Sequence, residues 1–314
     1  MKEYIIGKNE AGQRFDKYIF KLLKNAGTGL IFKQLRNKNI VLNGKKAKGN
    51  EILKENDSVR IFMSDDTINK FTGGPLHISK TGFRLDVIYE DDDILLASKP
   101  VGVLSQKSSD KDISMNEYLI EYLTDNGFGK ENLATFKPSF CNRLDRNTSG
   151  LMIAGKSLRG LQKMSEIIKD RSIHKFYLTI VKGIVDKKSV IKGYLRKDEK
   201  NNKVVIYDNP VKDSYEIHTE YEPLATKDDM TLLKVRLITG KTHQIRAHLA
   251  GISHPVLGDF KYGDKVFNEK YGEKKQLLHS YQVVFPKLDD FPDISEKSFN
   301  TPYPVNFKKY FKEN

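Results

Sequence analysis

The feature that most limits how this chain can fold is a break in its sequence pattern between Ser64 and Gly82. This stretch has no sustained hydrophobic periodicity and contains Gly73-Gly74-Pro75, which is typical of a linker. Short segments with helical spacing precede it, and mostly strand-like segments follow it. The chain of 314 residues is therefore predicted to be an α+β protein with two units, residues 1–63 and 83–314, joined by a linker over residues 64–82.

The first unit is predicted to combine two helices with a hairpin. Residues 12–27 carry apolar side chains at helical spacing, and residues 29–39 form a second, shorter candidate helix. Asn43-Gly44 then lies between two short strand-like runs, which is a strong signal for a two-residue hairpin turn. A closing strand is predicted from Val59 to Phe62.

Basic side chains are concentrated on the second helix and the hairpin. The segment from Ile31 to Lys48 contains no acidic residue, in a chain that has 41 of them. Because two short helices and a hairpin would gather these cations on one face, we predict a surface that binds nucleic-acid phosphates. Its candidate contact residues are Lys33, Arg36, Lys38, Lys45 and Lys46. The alternative is a basic surface that is merely solvated.

The chain as a whole is basic, with 54 Lys and Arg against 41 Asp and Glu and a net charge of +13. This excess favours a polyanionic partner. No apolar run is long enough to cross a membrane, and the first residues, MKEYIIGKNE, turn polar too early for a signal peptide. The single cysteine, Cys141, excludes an intramolecular disulfide and fits a reducing compartment, so a cytoplasmic location is expected. Nothing in the sequence demands more than a monomer.

One carboxylate stands out in the stretch CNRLDRNTSG, residues 141–150, where Asp145 lies between Arg143 and Arg146 in a predicted loop. Two cations beside a carboxyl group favour its charged form, which suits a base or a nucleophile. A salt-bridged turn without catalytic function is the alternative, and these residues alone leave the choice open.

Tyr177 and Arg246 are further candidate site residues because of their positions in predicted elements. In the strand-like run 174–185, Tyr177 is expected on the more polar face, together with Lys175 and Thr179. A tyrosine in a strand usually serves packing, so this pattern does not identify a site. Arg246 lies near the start of a predicted helix, from which its side chain could reach a neighbouring loop.

The sequence contains few signals for a metal site or a cofactor site. The acids Glu90–Asp93 lie together, but no second ligand cluster has suitable spacing, although a metal-dependent nuclease using Asp91–Asp93 is an alternative. His243, His248 and His254 lack the i, i+4 spacing of a helical zinc site. No P-loop, GxGxxG or GxSxG motif is present. We therefore predict no metal and no bound cofactor.

Five segments of this chain resemble signatures of the RluA-type pseudouridine synthases, in the order in which that family has them. The segment NRLDRNTSG, residues 142–150, resembles the signature [HN]RLD-x-x-TSG. The other four are DILLASKPVG at 93–102, KFYL at 175–178, TGKTHQIR at 239–246 and GDFKYG at 258–263. Asn142 and Lys241 stand where many members have His and Arg. Each segment is modestly specific, but five in order are very specific.

The resemblance implies an isomerase that converts uridine in RNA to pseudouridine. Asp145 would be the catalytic nucleophile or base, Tyr177 would stack on the flipped uracil, and Arg246 would pair with Asp145. Arg143 would enter the RNA stack in place of the extruded base. The reaction breaks the N1–C1′ bond and re-forms the link at C5, so it needs no cofactor.

The order of elements in residues 12–63 resembles the S4 RNA-binding domain. An S4 domain before a catalytic domain of this type is similar to the large-subunit ribosomal RNA enzymes, so 23S rRNA is the implied substrate. The implied catalytic fold is a mixed, mostly antiparallel sheet with flanking helices. A tRNA substrate and a non-catalytic RNA-binding or ribosome-assembly factor are the alternatives.

Overall fold

The first unit of the chain is a small sheet packed against two helices. The computed structural model describes residues 1–73, 80–129 and 133–312. The elements of this unit are β1 Lys2–Ile5, α1 Phe15–Leu22, α2 Thr28–Arg36, β2 Ile40–Leu42, β3 Lys45–Lys46 and β4 Ser58–Ile61. The strands are hydrogen-bonded in the antiparallel order β1-β4-β2-β3. Apolar side chains from both helices and the sheet form one core.

The hairpin turn predicted at Asn43-Gly44 is present. These residues have φ angles of 50° and 73°, and positive values at both central positions are what a type I′ turn requires. Across the turn Leu42 pairs with Lys45, at the ends of the two strands. Because the core takes up the apolar faces, the lysines of the hairpin remain exposed.

The interval between the two units differs from the irregular linker that the sequence predicted. Asp65–Thr72 forms helix α3, and Ser64 Oγ accepts a hydrogen bond from the N–H of Thr67 at its start. Ile68 is buried in the core of the first unit. One buried residue gives a short helix no detectable apolar periodicity, which is why the pattern did not indicate it. Gly74-Pro75 lies outside the described residues.

The second unit is built on one large sheet, which has eleven strands among the described residues. Its elements are β5 Asp86–Glu90, β6 Ile94–Lys99, α4 Met115–Asp125, β7 Ser139–Phe140, β8 Ser149–Gly155, α5 Leu158–Lys169, β9 His174–Lys182, β10 Ser189–Asp198, β11 Lys203–Tyr207, β12 Tyr215–Lys227, β13 Met230–Leu237, α6 Gln244–Gly251, α7 Lys265–Tyr271, β14 Leu278–Val284, β15 Ser298–Asn300 and a 3-10 helix at Val305–Phe307. The main path runs β11-β10-β12-β13-β9-β14-β8-β6-β5, with β15 beside β14 and β7 beside β8.

The sheet is mixed because of one strand, β14. It runs parallel to β8, with Ser280 opposite Gly150, and antiparallel to β9, with Ser280 opposite Tyr177. The other described strand pairings of this sheet are antiparallel. The predicted mixed, mostly antiparallel sheet with flanking helices is therefore confirmed.

Helices cover both faces of the large sheet. On one face α4 and α6 pack against β6, β8, β9 and β13. On the other face α5 covers one end, and α7 with the C-terminal segment covers the other end. A central strand such as β9 is consequently buried on both sides. None of the helices in the described ranges has the length and apolarity needed to cross a bilayer.

Gly150 lies where β8 meets β14, and this position requires glycine. Its φ angle is 106°, and a Cβ atom here would overlap the backbone carbonyl of Ser280. We expect Gly150→Ala to reduce the free energy of unfolding by about 2–4 kcal/mol, because steric overlap adds to backbone strain. Denaturant titration would measure this change.

Gly127→Ala is the matched control for this substitution. Gly127 has a φ angle of 93°, but a Cβ atom added to it would meet no other group within 4 Å. The variant should lose only about 1–2 kcal/mol, which is the cost of a left-handed backbone conformation alone. Equal losses in the two variants would contradict the role assigned to the contact between the strands.

Candidate active site

A cavity of about 350 Å³ lies where the loop between β7 and β8, strand β9 and the turn before α6 meet. The loop contributes Asn142–Asp145, β9 contributes Lys175 and Tyr177, and residues 240–246 complete much of the lining. Its volume is at the lower end of the range for small-ligand pockets. The residues predicted from the sequence to carry the chemistry therefore line one cavity.

The loop that carries Asp145 is fixed on both sides of this residue. Before it, Ser105 Oγ donates a hydrogen bond to the carbonyl oxygen of Leu144 over 2.7 Å and accepts one from its N–H over 2.9 Å. After it, the carbonyl oxygen of Arg146 accepts a hydrogen bond from Lys99 Nζ over 2.9 Å. Asp145 thus lies between two anchored neighbours, with 24% of its side chain exposed.

Lys99 is completely buried beneath this loop. Its ammonium group also donates to the carbonyl oxygens of Pro100 and Val103, over 2.9 and 2.7 Å, so each of its three donors has an acceptor. Burial lowers the pKa of Lys99, and the charge of Asp145 opposes this shift. The three carbonyl acceptors favour the charged form against this burial, and they tie the loop to the end of β6.

Arg246 joins two carboxylates at the base of the cavity. Its Nη1 donates to Asp145 Oδ2 over 2.7 Å. Its Nε and Nη2 donate to the two oxygens of Asp259 over 2.6 and 2.9 Å. This bidentate contact fixes the plane of the guanidinium group and thereby the direction of the bond to Asp145.

The cation that pairs with Asp145 is therefore Arg246 and not an arginine next to it in sequence. Arg143 and Arg146 are exposed, and neither forms an ion pair with Asp145 in the described structure. The expectation that these two arginines pair with the carboxylate of Asp145 was wrong, because neighbouring side chains of an irregular loop project in different directions. Arg143 does line the cavity.

Asp259 is the more deeply buried partner of Arg246, with none of its side chain exposed. Its Oδ1 also accepts hydrogen bonds from the backbone N–H groups of Lys261 and Tyr262, over 2.8 and 3.1 Å. Burial acts to raise the pKa of Asp259, but the bonds from Arg246 and from the backbone outweigh it and hold the pKa below its usual value. Asp259 is thus a fixed anion that orients Arg246.

His243 approaches Asp145 from the start of α6. Its backbone is left-handed, with a φ angle of 55°, and its Nε2 lies 3.9 Å from Asp145 Oδ2. Its Nδ1 lies 2.9 Å from the hydroxyl of Tyr262, whose oxygen accepts from the N–H of Val204. The phenol proton is then free for Nδ1, which leaves Nε2 protonated. Burial lowers the pKa of His243 while Asp145 opposes the shift, so the ring is neutral at pH 7.

Tyr177 is buried in the wall of the cavity, with only 5% of its surface exposed. It lies on the same face of β9 as Lys175, as expected, but this face is not polar along its length, because Tyr177 packs in the same core cluster as Val181 and Val235. Alternation of polar and apolar residues predicts faces only where one side of a strand meets solvent, and β9 is covered on both sides. Burial raises the pKa of Tyr177 to about 12, so its hydroxyl stays protonated at neutral pH.

The structure separates the predicted residues into two groups. Asp145, Tyr177, Arg246 and Arg143 line the cavity. The five basic candidates of the first unit do not line it, are all exposed and form no ion pair with a described residue; they are Lys33, Arg36, Lys38, Lys45 and Lys46.

Three residues of the site were not predicted from the sequence. Asp259 belongs to the segment GDFKYG and Lys99 to the segment ending KPVG, so both lie in signatures that mark the resemblance. His243 belongs to TGKTHQIR, where the pattern allowed only a test for zinc-ligand spacing. Their positions in these segments were the available signals, but pairing over long sequence distances cannot be derived from spacing.

The acidic segment 90–93 forms a turn between β5 and β6, and the carboxylates of Glu90, Asp91 and Asp93 have protein partners. Glu90 pairs with Lys156 over 2.5 Å, and Asp91 Oδ1 accepts from the N–H groups of Asp93 and Ile94 over 2.8 Å each. Within the described ranges no group of three or more His, Cys, Asp or Glu side chains is arranged to hold a metal ion. Burial raises the pKa of the Cys141 thiol to about 11, so this residue is a poor candidate nucleophile.

Comparison with known proteins gives a consistent result. A sequence profile described as RNA pseudouridylate synthase matches residues 93–251, about half of the chain. An uncharacterised RNA pseudouridine synthase of Mycoplasma genitalium is 31% identical, with 94% of this chain and 93% of that protein aligned. The ribosomal large subunit pseudouridine synthase C of Pasteurella multocida is 28% identical, over 98% of this chain and 92% of that protein.

A solved structure supports the same fold. The human RNA pseudouridylate synthase domain containing 4 aligns with a TM-score of 0.57 at 21% identity, covering 71% of this chain and 90% of that one. The matched sequence segment includes Asp145, Tyr177 and Arg246, which line one cavity. The chain therefore belongs to the RNA pseudouridine synthase family, and its activity is that of an isomerase.

Proposed function

We propose that Asp145 is the catalytic carboxylate of uridine isomerisation in this chain. The observation that carries the proposal is the ion pair of 2.7 Å between Asp145 and Arg246 at the base of the cavity. The reaction breaks the N1–C1′ bond, turns the uracil and joins C5 to C1′, after which C5 releases its proton and N1 takes one up. Attack on the uracil ring, attack on the ribose and deprotonation of the ribose all require an ionised carboxylate, and Arg246 lies where it pairs with one.

Tyr177 and Arg143 have different roles in this scheme, since the tyrosine is buried and neutral whereas the arginine is exposed and charged. We propose that the ring of Tyr177 stacks on the extruded uracil, because it lines the cavity and its protonated hydroxyl adds no charge. Arg143 is exposed at the cavity, which suits a side chain that fills the gap left in the RNA stack.

Ribosomal RNA of the large subunit, 23S rRNA, is the proposed substrate. Support comes from relatives that carry the name ribosomal large subunit pseudouridine synthase C and align over most of this chain, such as those of Pasteurella multocida and Haemophilus ducreyi. A tRNA uridine is the second candidate within the same reaction class.

The first unit is proposed to be an S4-like domain that holds structured RNA. Two helices and a hairpin, in the order α1, α2, β2, β3, present five exposed cations without ion-pair partners among the described residues. Such a surface binds by neutralising phosphates and gives affinity without sequence specificity.

Neutralising this surface should weaken RNA binding in a salt-dependent way. A variant with glutamine at Lys33, Arg36, Lys38, Lys45 and Lys46 should lower the slope of log affinity against log salt by about 3.5–4.5, if each cation contacts one phosphate. Filter binding of an rRNA transcript at several salt concentrations would measure the slope. The control variant removes an equal charge elsewhere on the surface, at Lys187, Lys265, Lys274, Lys287 and Lys297. The same loss of slope in the control would contradict the proposed surface.

The substrate can be tested with transcripts that carry tritium at uridine C5, since pseudouridine formation releases this hydrogen to water. Wild-type protein is expected to release tritium from 23S rRNA transcripts and not from tRNA transcripts. Release from tRNA alone would replace rRNA by tRNA as the substrate. No release from either RNA would overturn the proposed function and favour a non-catalytic RNA-binding factor.

A further inference from the structure

The cavity contains a cation, Lys175, that the proposed chemistry does not use. Lys175 lies on β9 two residues before Tyr177 and lines the same cavity. Its Nζ lies beside Gly240, at 3.5 Å from the position that a Cβ of this glycine would take. The ammonium group is therefore directed at the turn before α6, which closes the cavity.

The other basic side chains of the cavity are accounted for. Arg246 is neutralised by Asp145 and Asp259. Lys241 Nζ lies over the ring of Tyr215, at 3.7 Å from its centroid. Arg143 is exposed and free to move with the RNA.

Lys175 differs from these residues because it is half-buried without a counter-charge. Among the described residues its ammonium group has no ion-pair or hydrogen-bond partner. Burial, with Arg171 nearby, lowers its pKa, as expected for an ammonium group that has lost water and gained no anion. Holding such a group inside a cleft is unfavourable unless an anion compensates it when the site is occupied.

The geometry of β9 indicates which anion this is. Residues 175 and 177 project from the same face of the strand, about 6.5–7 Å apart along it. A nucleotide whose base stacks on Tyr177 must carry its own phosphates within a few ångströms of that base. We propose that Lys175 binds a backbone phosphate of the RNA next to the uridine that enters the cavity. This inference rests on the proposed function and adds a phosphate subsite to it.

The test compares Lys175→Gln, which keeps a polar side chain but removes the charge, with Lys175→Arg, which keeps the charge. Lys187→Gln is the control, because Lys187 is an exposed lysine that does not line the cavity. Each protein is assayed for binding of an rRNA transcript at several salt concentrations and for tritium release under single-turnover conditions. Thermal unfolding establishes that each variant is folded at the assay temperature.

Lys175→Gln is expected to reduce the slope of log affinity against log salt by about 0.7–0.9, as for the loss of one phosphate contact. Its kcat/KM should fall about tenfold at low salt. Lys175→Arg should keep most of both quantities, and Lys187→Gln should match the wild type.

Two outcomes would overturn the inference while the proposed function stands. In the first, the wild-type protein releases tritium, and Lys175→Gln has the same salt slope and the same kcat/KM as the wild type. This result would exclude the phosphate contact while leaving the proposed function intact. In the second, Lys187→Gln loses as much of the salt slope and of kcat/KM as Lys175→Gln does. The effect would then be one of general surface charge. Absence of tritium release by the wild type would instead remove the proposed function, and the subsite with it.

Discussion

Asp145→Asn is expected to abolish pseudouridine formation, with a loss of at least about a thousandfold in the single-turnover rate. Asparagine has nearly the same shape, but its amide is neither a nucleophile nor a base. The loop should keep its position, because Ser105 and Lys99 hold the backbone of Leu144 and Arg146 and do not contact the carboxylate. Tritium release from an rRNA transcript would measure the loss.

Binding separates a chemical defect from a structural one. Asp145→Asn should bind the transcript with an affinity within about threefold of the wild type, because one carboxylate inside the cavity contributes little to phosphate contacts. Its thermal transition should remain cooperative. Residual activity above a few per cent of the wild-type rate would contradict the role proposed for Asp145.

Asp259→Asn is expected to reduce the turnover rate by about a hundredfold, although Asp259 does not line the cavity. The amide cannot accept two charged hydrogen bonds from Arg246, so the guanidinium loses its fixed plane and its bond to Asp145 loses its direction. Removing one partner of a buried pair also lowers the free energy of unfolding by about 3–5 kcal/mol. Rates must therefore be compared well below the unfolding transition.

A double-mutant cycle distinguishes positioning from general stability. If Asp259 acts through Arg246, then adding Asp259→Asn to Arg246→Gln should change the rate by less than about threefold, because the shared interaction is already absent. The KM for RNA should stay close to the wild-type value in the single variant, since Asp259 is buried away from the cavity lining. If the rate loss of the double variant equals the product of the two single losses, Asp259 does not act through Arg246.

Sequence patterns predicted the local elements well and the long-range contacts poorly. Asn43-Gly44 specified its hairpin because the turn needs two positive φ angles, which few residue pairs adopt. Strand β14 was not predicted, although it lies between β8 and β9, because a buried central strand has no polar alternation to mark it. For the same reason the local pattern placed Tyr177 on the same face as Lys175 but did not indicate that Tyr177 is buried.

The site shows the same division. The contact of Asp145 with Arg246, which are 101 residues apart, was expected from the resemblance to a family. The contact of Arg246 with Asp259 was not expected from it, although these two residues are only 13 positions apart. Neither contact can be predicted from hydrophobic periodicity, because each depends on how β9, β13 and α6 pack around the loop. The charge of a neighbour in sequence is a weaker guide than the charge of a neighbour in space.

The position of β14 also sets the order in which a newly made chain can become active. Among the described strands, β8 and β9 are joined by hydrogen bonds only through β14, which comes about a hundred residues after β9 begins. Ribosomes make proteins from the N-terminus, so the loop with Asp145 and the strand with Tyr177 emerge long before the strand that connects them. During synthesis the first unit is therefore complete while the cavity around Asp145 is still open along its centre. The cavity between β8 and β9 can therefore close only after β14 has left the ribosome.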